Sequence, residues 1–208
     1  MINCTGQQSL DIAQTYGFGF QYSALPVKGN YLISNRVMNE IKTLVYPVPL
    51  KNTYFLGVHS TITPSGYVKI GPSATPAFSY ENYNGFENIK LNQAAKILAG
   101  YSKMLFSKQI KLVTTLGFQE LPKLMKSKMI ETCQQIHNVD PTAFKEWYPP
   151  GIRAQLIDRK TLEFIGDFKL EYDGYSMHVL NTISPGWTCA SPFADHIMDE
   201  VTKVFKLE

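Results

Sequence analysis

Metal-binding signatures, nucleotide loops and hydrolase motifs are all missing from this sequence. Its three cysteines, Cys4, Cys133 and Cys189, form no CxxC pair, and the cysteines and histidines together make no pattern that resembles a zinc site. The four histidines, His59, His137, His178 and His196, fall in no metal-ligand pattern, so no metal site is expected. An odd cysteine count without a secretory signal points to a reducing compartment, read here as the cytoplasm, with peripheral contact to a membrane left open. No apolar run is long enough to cross a bilayer. A dense Lys/Arg run is missing too: the formal net charge is only +3, and the lysines over 103–128 are spread as the solvated face of a helical stretch. That excludes a nucleic-acid surface. GxGxxG, the P-loop, GxSxG and HExxH are absent, as are repeats and low-complexity tracts.

What is present is the composition of a folded protein. Of 208 residues, 44% are hydrophobic and 18% charged, enough to bury a core and too apolar for disorder. Ile2-Asn3-Cys4 reads as the end of a buried strand, followed by a helix over 7–16 that Gly17 closes. From residue 18 to 71 the pattern is β. Strands are expected over 31–33, 54–63 and 67–70, with Pro64-Ser65-Gly66 as a turn and Gly71-Pro72 as the end of the last. The prolines of 44–49 hold that segment extended. Apolar spacing predicts helices over 89–106 and 121–136. Asp140-Pro141 and Pro149-Pro150 are expected to break the chain. Short strands follow over 152–157, 168–172 and 177–180, with Asp173-Gly174 as a hairpin turn. An amphipathic helix ends near Phe205; either Ser184-Pro185 or Ser191-Pro192 starts it. The order reads as α+β: a mixed or antiparallel sheet with helices, inserted between two α/β-like chain ends. The boundaries are placed at 1–19 with 150–208, and at 20–149.

Four segments in register carry a resemblance. They are Ile2-Asn3-Cys4-Thr5-Gly6; Phe55-Leu56-Gly57-Val58-His59 leading to Ile70-Gly71-Pro72; Gly151-Ile152-Arg153-Ala154-Gln155 with Asp158-Arg159; and Met177-His178-Val179-Leu180-Asn181 with Ser184-Pro185-Gly186. Val45-Tyr46-Pro47-Val48-Pro49 fits as well. In this order they resemble the later part of the L-2-hydroxyglutarate dehydrogenase/oxidase family, FAD-dependent enzymes of the D-amino-acid oxidase type. The resemblance covers essentially the whole chain, and Lys28-Gly29-Asn30 departs from it where Arg-Gly-Glu is usual. The family's glycine-rich turn for the FAD pyrophosphate has no counterpart here. The resemblance therefore implies an incomplete FAD-binding domain built from both chain ends, around a substrate-binding domain. FAD binding would be partial, and a separately encoded N-terminal FAD-binding chain is one expected partner; a non-catalytic remnant or binding module is the alternative.

The resemblance also implies roles. Thr5 and Gly6 would lie near the flavin, or form a plain strand-to-helix turn. Asn181, Ser184, Pro185 and Gly186 would make the turn beneath the flavin ring, or an ordinary helix cap. His59 would be the base that takes the proton from the substrate hydroxyl, or a core histidine. Arg153 would clamp a substrate carboxylate, or pair with Asp158 or Asp167. The expected reaction is oxidation of a 2-hydroxy acid to a 2-oxo acid by hydride transfer to flavin. Tyr80, Tyr83 and Trp187 are candidate pocket aromatics, and His178, alternating with apolar neighbours, reads as structural.

Overall fold

The longest strand, β3 (Val27–Val37), alternates side chains between two unlike surroundings and organises the residues around it. A computed structural model describes residues 1–48 and 57–205 of the chain. It divides into two compact units, Val27–Arg153 and Met1–Pro26 with Ala154–Glu208. The sequence placed these boundaries at 19/20 and 149/150. Arg153 therefore ends the last strand of the first unit.

In the unit Val27–Arg153, β4 (His59–Ile62), β5 (Tyr67–Pro76) and β6 (Glu146–Arg153) join β3 in an antiparallel sheet of order β4-β5-β3-β6. Leu32, Val68 and Ile70 project to one side. There they bury against Met129, Ile130 and Cys133 of helix α4 (Lys126–Gln134) and against Phe144. Helices α2 (Leu91–Leu105) and α3 (Ile110–Glu120) precede α4, and Glu120 of α3 accepts a bond from the Ala74 amide at 2.8 Å. On the same buried side, Ser60 bonds His137 at 2.6 Å and approaches Cys133 at 3.3 Å, which fixes these polar groups as packing.

The second unit holds β1 (Ile2–Asn3), α1 (Ser9–Thr15), β2 (Tyr22–Ala24), β7 (Leu156–Asp158), β8 (Lys169–Tyr172), β9 (Met177–Asn181) and α5 (Ala190–Phe205). β1 runs parallel to β9, and β8 returns antiparallel on the other side of β9. β2 pairs with β7. Gly17, at φ +92, stops α1: Phe18 N–H reaches Ala13 O at 3.0 Å and Gly17 N–H reaches Gln14 O at 3.3 Å, the paired bonds of a left-handed helix terminus. Met177 and Val179 pack on Ile197 and Val201 of α5.

Several local expectations are corrected. Gly71-Pro72 does not end its strand: β5 continues to Pro76 through a cis peptide and a register shift against β3. Pro149-Pro150 do not break the chain; they lie in edge strand β6 at a register shift between Tyr148 and Gly151, where neither is paired with β3 and a missing N–H costs no ladder bond. The helix expected over 121–136 is a 3-10 turn, Leu121–Leu124, then α4, separated by the extended Met125. α3 was not delimited, because its Thr and Gly content blurs the period. Neither Ser184-Pro185 nor Ser191-Pro192 supplies the cap and first position of the final helix, which starts at Ala190 and holds Ser191 and Pro192 within its first turn. The strand expected over 54–63 is seen over His59–Ile62, and residues 54–56 lie outside the described residues.

Truncating Phe144 to Ala is expected to lower unfolding stability by about 3–5 kcal/mol through the cavity it leaves. Phe118→Ala, at a site 83% exposed, should change it by less than about 0.5 kcal/mol. Urea denaturation of both variants checks the assignment of the buried face.

Candidate functional site

The side of the four-stranded sheet opposite the apolar core carries polar and aromatic groups. By register, Arg153 stands opposite Val27, Tyr148 opposite Tyr31, and Lys69 opposite Ile33; across β4, His59 faces Gly71 and Thr61 faces Lys69. Alternation places all of these on one face. Gly71 is required there, because a Cβ would sit 2.7 Å from both Asn30 O and Tyr31 Cδ1. The Tyr31 ring thus packs directly against Gly71.

His59 is buried between aromatics. Its ring stacks on Tyr46 at 4.2 Å and meets Tyr31 edge-on at 6.1 Å. Nδ1 lies 2.9 Å from the Gly57 carbonyl. A carbonyl only accepts, so Nδ1 carries the proton and Nε2 keeps its lone pair. Burial pushes the pKa of His59 below the ordinary imidazole value of about 6.5; the Gly57 bond opposes the shift and the Lys69 charge adds to it. At neutral pH the ring is therefore neutral, with its basic nitrogen ready to accept a proton. Burial raises the Tyr31 hydroxyl pKa; the nearby Arg153 charge offsets part of this and Tyr46 adds to it. Tyr31 thus stays a phenol that can donate. Lys69 Nζ sits 4.6 Å from the centre of the Tyr148 ring and 5.6 Å from that of Tyr31.

His59 and Arg153 are thus brought to one face, with Tyr31 between them. Lys69, Tyr31, Tyr46 and Tyr148 were not singled out from sequence. The alternation Tyr67-Val68-Lys69-Ile70 was the available signal, since it sets Lys69 on the face away from Val68 and Ile70. Tyr80 is buried and Trp187 is 95% exposed. Tyr83 lines a cavity of about 470 Å³ with Lys28, Asn30, Trp147 and Tyr148.

In the other unit, the six residues expected near a cofactor follow the carboxyl ends of two parallel strands. Thr5 and Gly6 follow β1, and Asn181, Ser184, Pro185 and Gly186 end or follow β9. Ligands of α/β sheets bind outside such ends. Asn3 organises the first group. Its Nδ2 donates to Ser9 O at 2.9 Å and to His178 Nδ1 at 3.0 Å, and its Oδ1 accepts from Thr5 Oγ1 at 2.8 Å. His178, fully buried, then donates from Nε2 to Ser176 Oγ at 3.1 Å, a structural role. Gly6 takes φ +63 with open space where a Cβ would stand. Asn181 donates to Asp167 O at 2.7 Å and Ile165 O at 3.2 Å, leaving its buried Oδ1 with no partner among the described residues. Gly186 closes a tight turn on Ile183 O at 2.6 Å, where a Cβ would meet that same oxygen at 2.7 Å. Among the described residues no group of His, Cys, Asp and Glu could hold a metal ion, and no helix is long and apolar enough to cross a membrane.

No protein-family model matches the chain. It is 30% identical over 220 residues to an L-2-hydroxyglutarate dehydrogenase of Indibacter alkaliphilus, covering 99% of this chain and 51% of that protein. The mitochondrial L-2-hydroxyglutarate dehydrogenase of Caenorhabditis elegans is 30% identical over 214 residues, covering 100% and 48%. The enzyme of that name from Escherichia coli K12 is 29% identical over 205 residues, covering 97% and 47%. The chain spans about half the length of the curated relatives it matches. Among solved structures it resembles the dithionite-reduced L-alpha-glycerophosphate oxidase of Mycoplasma pneumoniae with FAD bound, with a TM-score of 0.54 and 16% identity over 100% of this chain and 42% of that one. The fold is therefore part of the type seen in an FAD oxidase, and the sequence is similar end to end to L-2-hydroxyglutarate dehydrogenases.

In an NMR titration of the chain, the His59 ring is expected to titrate below pH 6.5, and Lys69→Met should raise its midpoint by removing a repelling charge. The same shift fixes a sign for stability. The folded pKa lies below the unfolded one, so the contribution of neutral His59 is present above about pH 6.5 and is lost as pH falls through the folded pKa.

Proposed function

We propose that this chain supplies the substrate face and part of the flavin site of an FAD-dependent oxidoreductase that converts a 2-hydroxy acid, L-2-hydroxyglutarate or a close analogue, to the 2-oxo acid. The observation that carries this reading is a buried, neutral His59 with its basic nitrogen unprotonated, on one sheet face with Arg153, in a chain similar throughout to L-2-hydroxyglutarate dehydrogenases. The cofactor fits what the other unit offers. Asn181 has an unsatisfied buried acceptor, and Gly6 leaves its backbone open to close approach. Thr5, Gly6, Asn181, Ser184, Pro185 and Gly186 would hold it. When bound, a flavin supplies the hydride acceptor that no side chain can.

The chain's own residues would do the rest. Arg153 would hold a carboxylate through its planar fork, which fixes the orientation of the carbon that reacts. His59 Nε2 would take the hydroxyl proton, and its Nδ1 bond to Gly57 keeps the tautomer that makes this possible. Tyr31, kept protonated, would donate a hydrogen bond beside it. The aromatics around His59 would exclude water and strengthen these interactions. No glycine-rich turn here matches a pyrophosphate site, so the remaining cofactor contacts are proposed to come from a dinucleotide-binding segment outside these 208 residues, whether joined to the chain or separately encoded. A non-catalytic role is the competing outcome.

The test is a chimera that joins the chain to the remaining half of a relative. It should retain a flavin absorption band through gel filtration and oxidise L-2-hydroxyglutarate. Arg153→Ala should cut kcat/KM roughly 30-fold or more with the flavin band unchanged, as expected when one partner of a charged contact is removed. A flavin-loaded chimera with no turnover, or unchanged turnover in the variant, would overturn the assignment.

A further inference from the structure

We infer that Lys69 holds the distal carboxylate of the substrate and so selects dicarboxylic over monocarboxylic 2-hydroxy acids. The inference rests on the proposed hydroxy-acid site and adds to it a residue that sets specificity.

The argument is the order of groups along the sheet. β3 provides the ruler. Arg153 stands at Val27, Tyr31 and its neighbours His59 and Gly71 come next, and Lys69 stands at Ile33. Along the strand direction the order is therefore cation, base, cation, with Arg153 on edge strand β6, His59 on edge strand β4 and Lys69 on β5 beside His59. A 2-hydroxy acid with its C1 carboxylate on Arg153 brings its hydroxyl carbon to His59 and sends the rest of its chain toward Lys69. A monocarboxylate leaves that end of the face unused, whereas a dicarboxylate places its second anion there.

Lys69 is held for this. Its Nζ rests over the Tyr148 ring at 4.6 Å and near the Tyr31 ring at 5.6 Å. Aromatic faces steady an ammonium while leaving its three donors available. Among the described residues no carboxylate lies within ion-pair distance of Lys69. Glu146 is the one acid in the same row, opposite Ile33 on the far side of β3, and it is solvent-exposed. Lys69 stands opposite Thr61, two residues along β4 from His59, on the same face.

Calorimetric titration of the 208-residue chain with L-2-hydroxyglutarate and with L-2-hydroxybutyrate tests this. The wild-type chain should bind the dicarboxylate more tightly. Lys69→Met should weaken L-2-hydroxyglutarate about tenfold or more and L-2-hydroxybutyrate less than about twofold, the loss expected for one charge-assisted contact. Lys69→Arg should restore most of the preference. Equal weakening of both acids, or no change for L-2-hydroxyglutarate, would overturn the role of Lys69 and leave the hydroxy-acid site standing. Binding of neither acid by the wild-type chain would overturn the site itself, and this inference with it. An unchanged unfolding midpoint in both variants separates these results from misfolding.

Discussion

Everything in the unit Val27–Arg153 depends on one sheet having two unlike faces. Period-two alternation along β3 and β5 sends Leu32, Val68 and Ile70 into the packing against α4 and sends Tyr31 and Lys69 the other way. A one-residue slip in register would exchange the two sets and bury a lysine in place of an isoleucine. The apolar face thus fixes the chemistry of the polar one. Each methylene buried beside Met129 or Phe144 also holds His59, Tyr31 and Lys69 in place on the reverse side.

The polar face has a consistent electrostatic design. It carries the cations Arg153 and Lys69, the exposed acid Glu146 on its edge strand, one histidine kept neutral by burial and one phenol kept protonated. Positive charge near the histidine lowers its proton affinity when the site is empty; a bound anion would offset that charge and make the ring a better base. Proton-accepting strength would then appear only when a substrate is in place. Tyr46 and Tyr148 contribute as walls, lowering the effective dielectric around those charges.

Much of this was legible in the sequence, and the failures have physical causes. The hairpin around Pro64-Ser65-Gly66, the turn at Asp173-Gly174 and the helix ending near Phe205 follow from turn chemistry and period. The extent of β5 does not, because a Gly-Pro pair signals a strand end in isolation and only pairing with β3 carries the chain through it. Pro149-Pro150 mislead for the same reason: whether a proline breaks a strand depends on whether its missing N–H would have faced a neighbour. His59 and Arg153 were singled out through resemblance. Lys69 was not, since a lysine in an alternating strand looks like a solvent-facing residue until the tyrosines around it are in place. Asn181 shows the converse case, where local sequence located the residue and only the fold revealed its unsatisfied oxygen.

The central claim is that substrate anions meet the polar face of this sheet. Amide chemical shifts of the isotope-labelled chain, followed while L-2-hydroxyglutarate is added, test it most directly. The account predicts changes concentrated at Tyr31, His59, Lys69, Tyr148 and Arg153, saturating together with one dissociation constant. Changes centred instead on the cavity lined by Lys28, Asn30 and Tyr83, or scattered over the surface lysines without saturation, would contradict it.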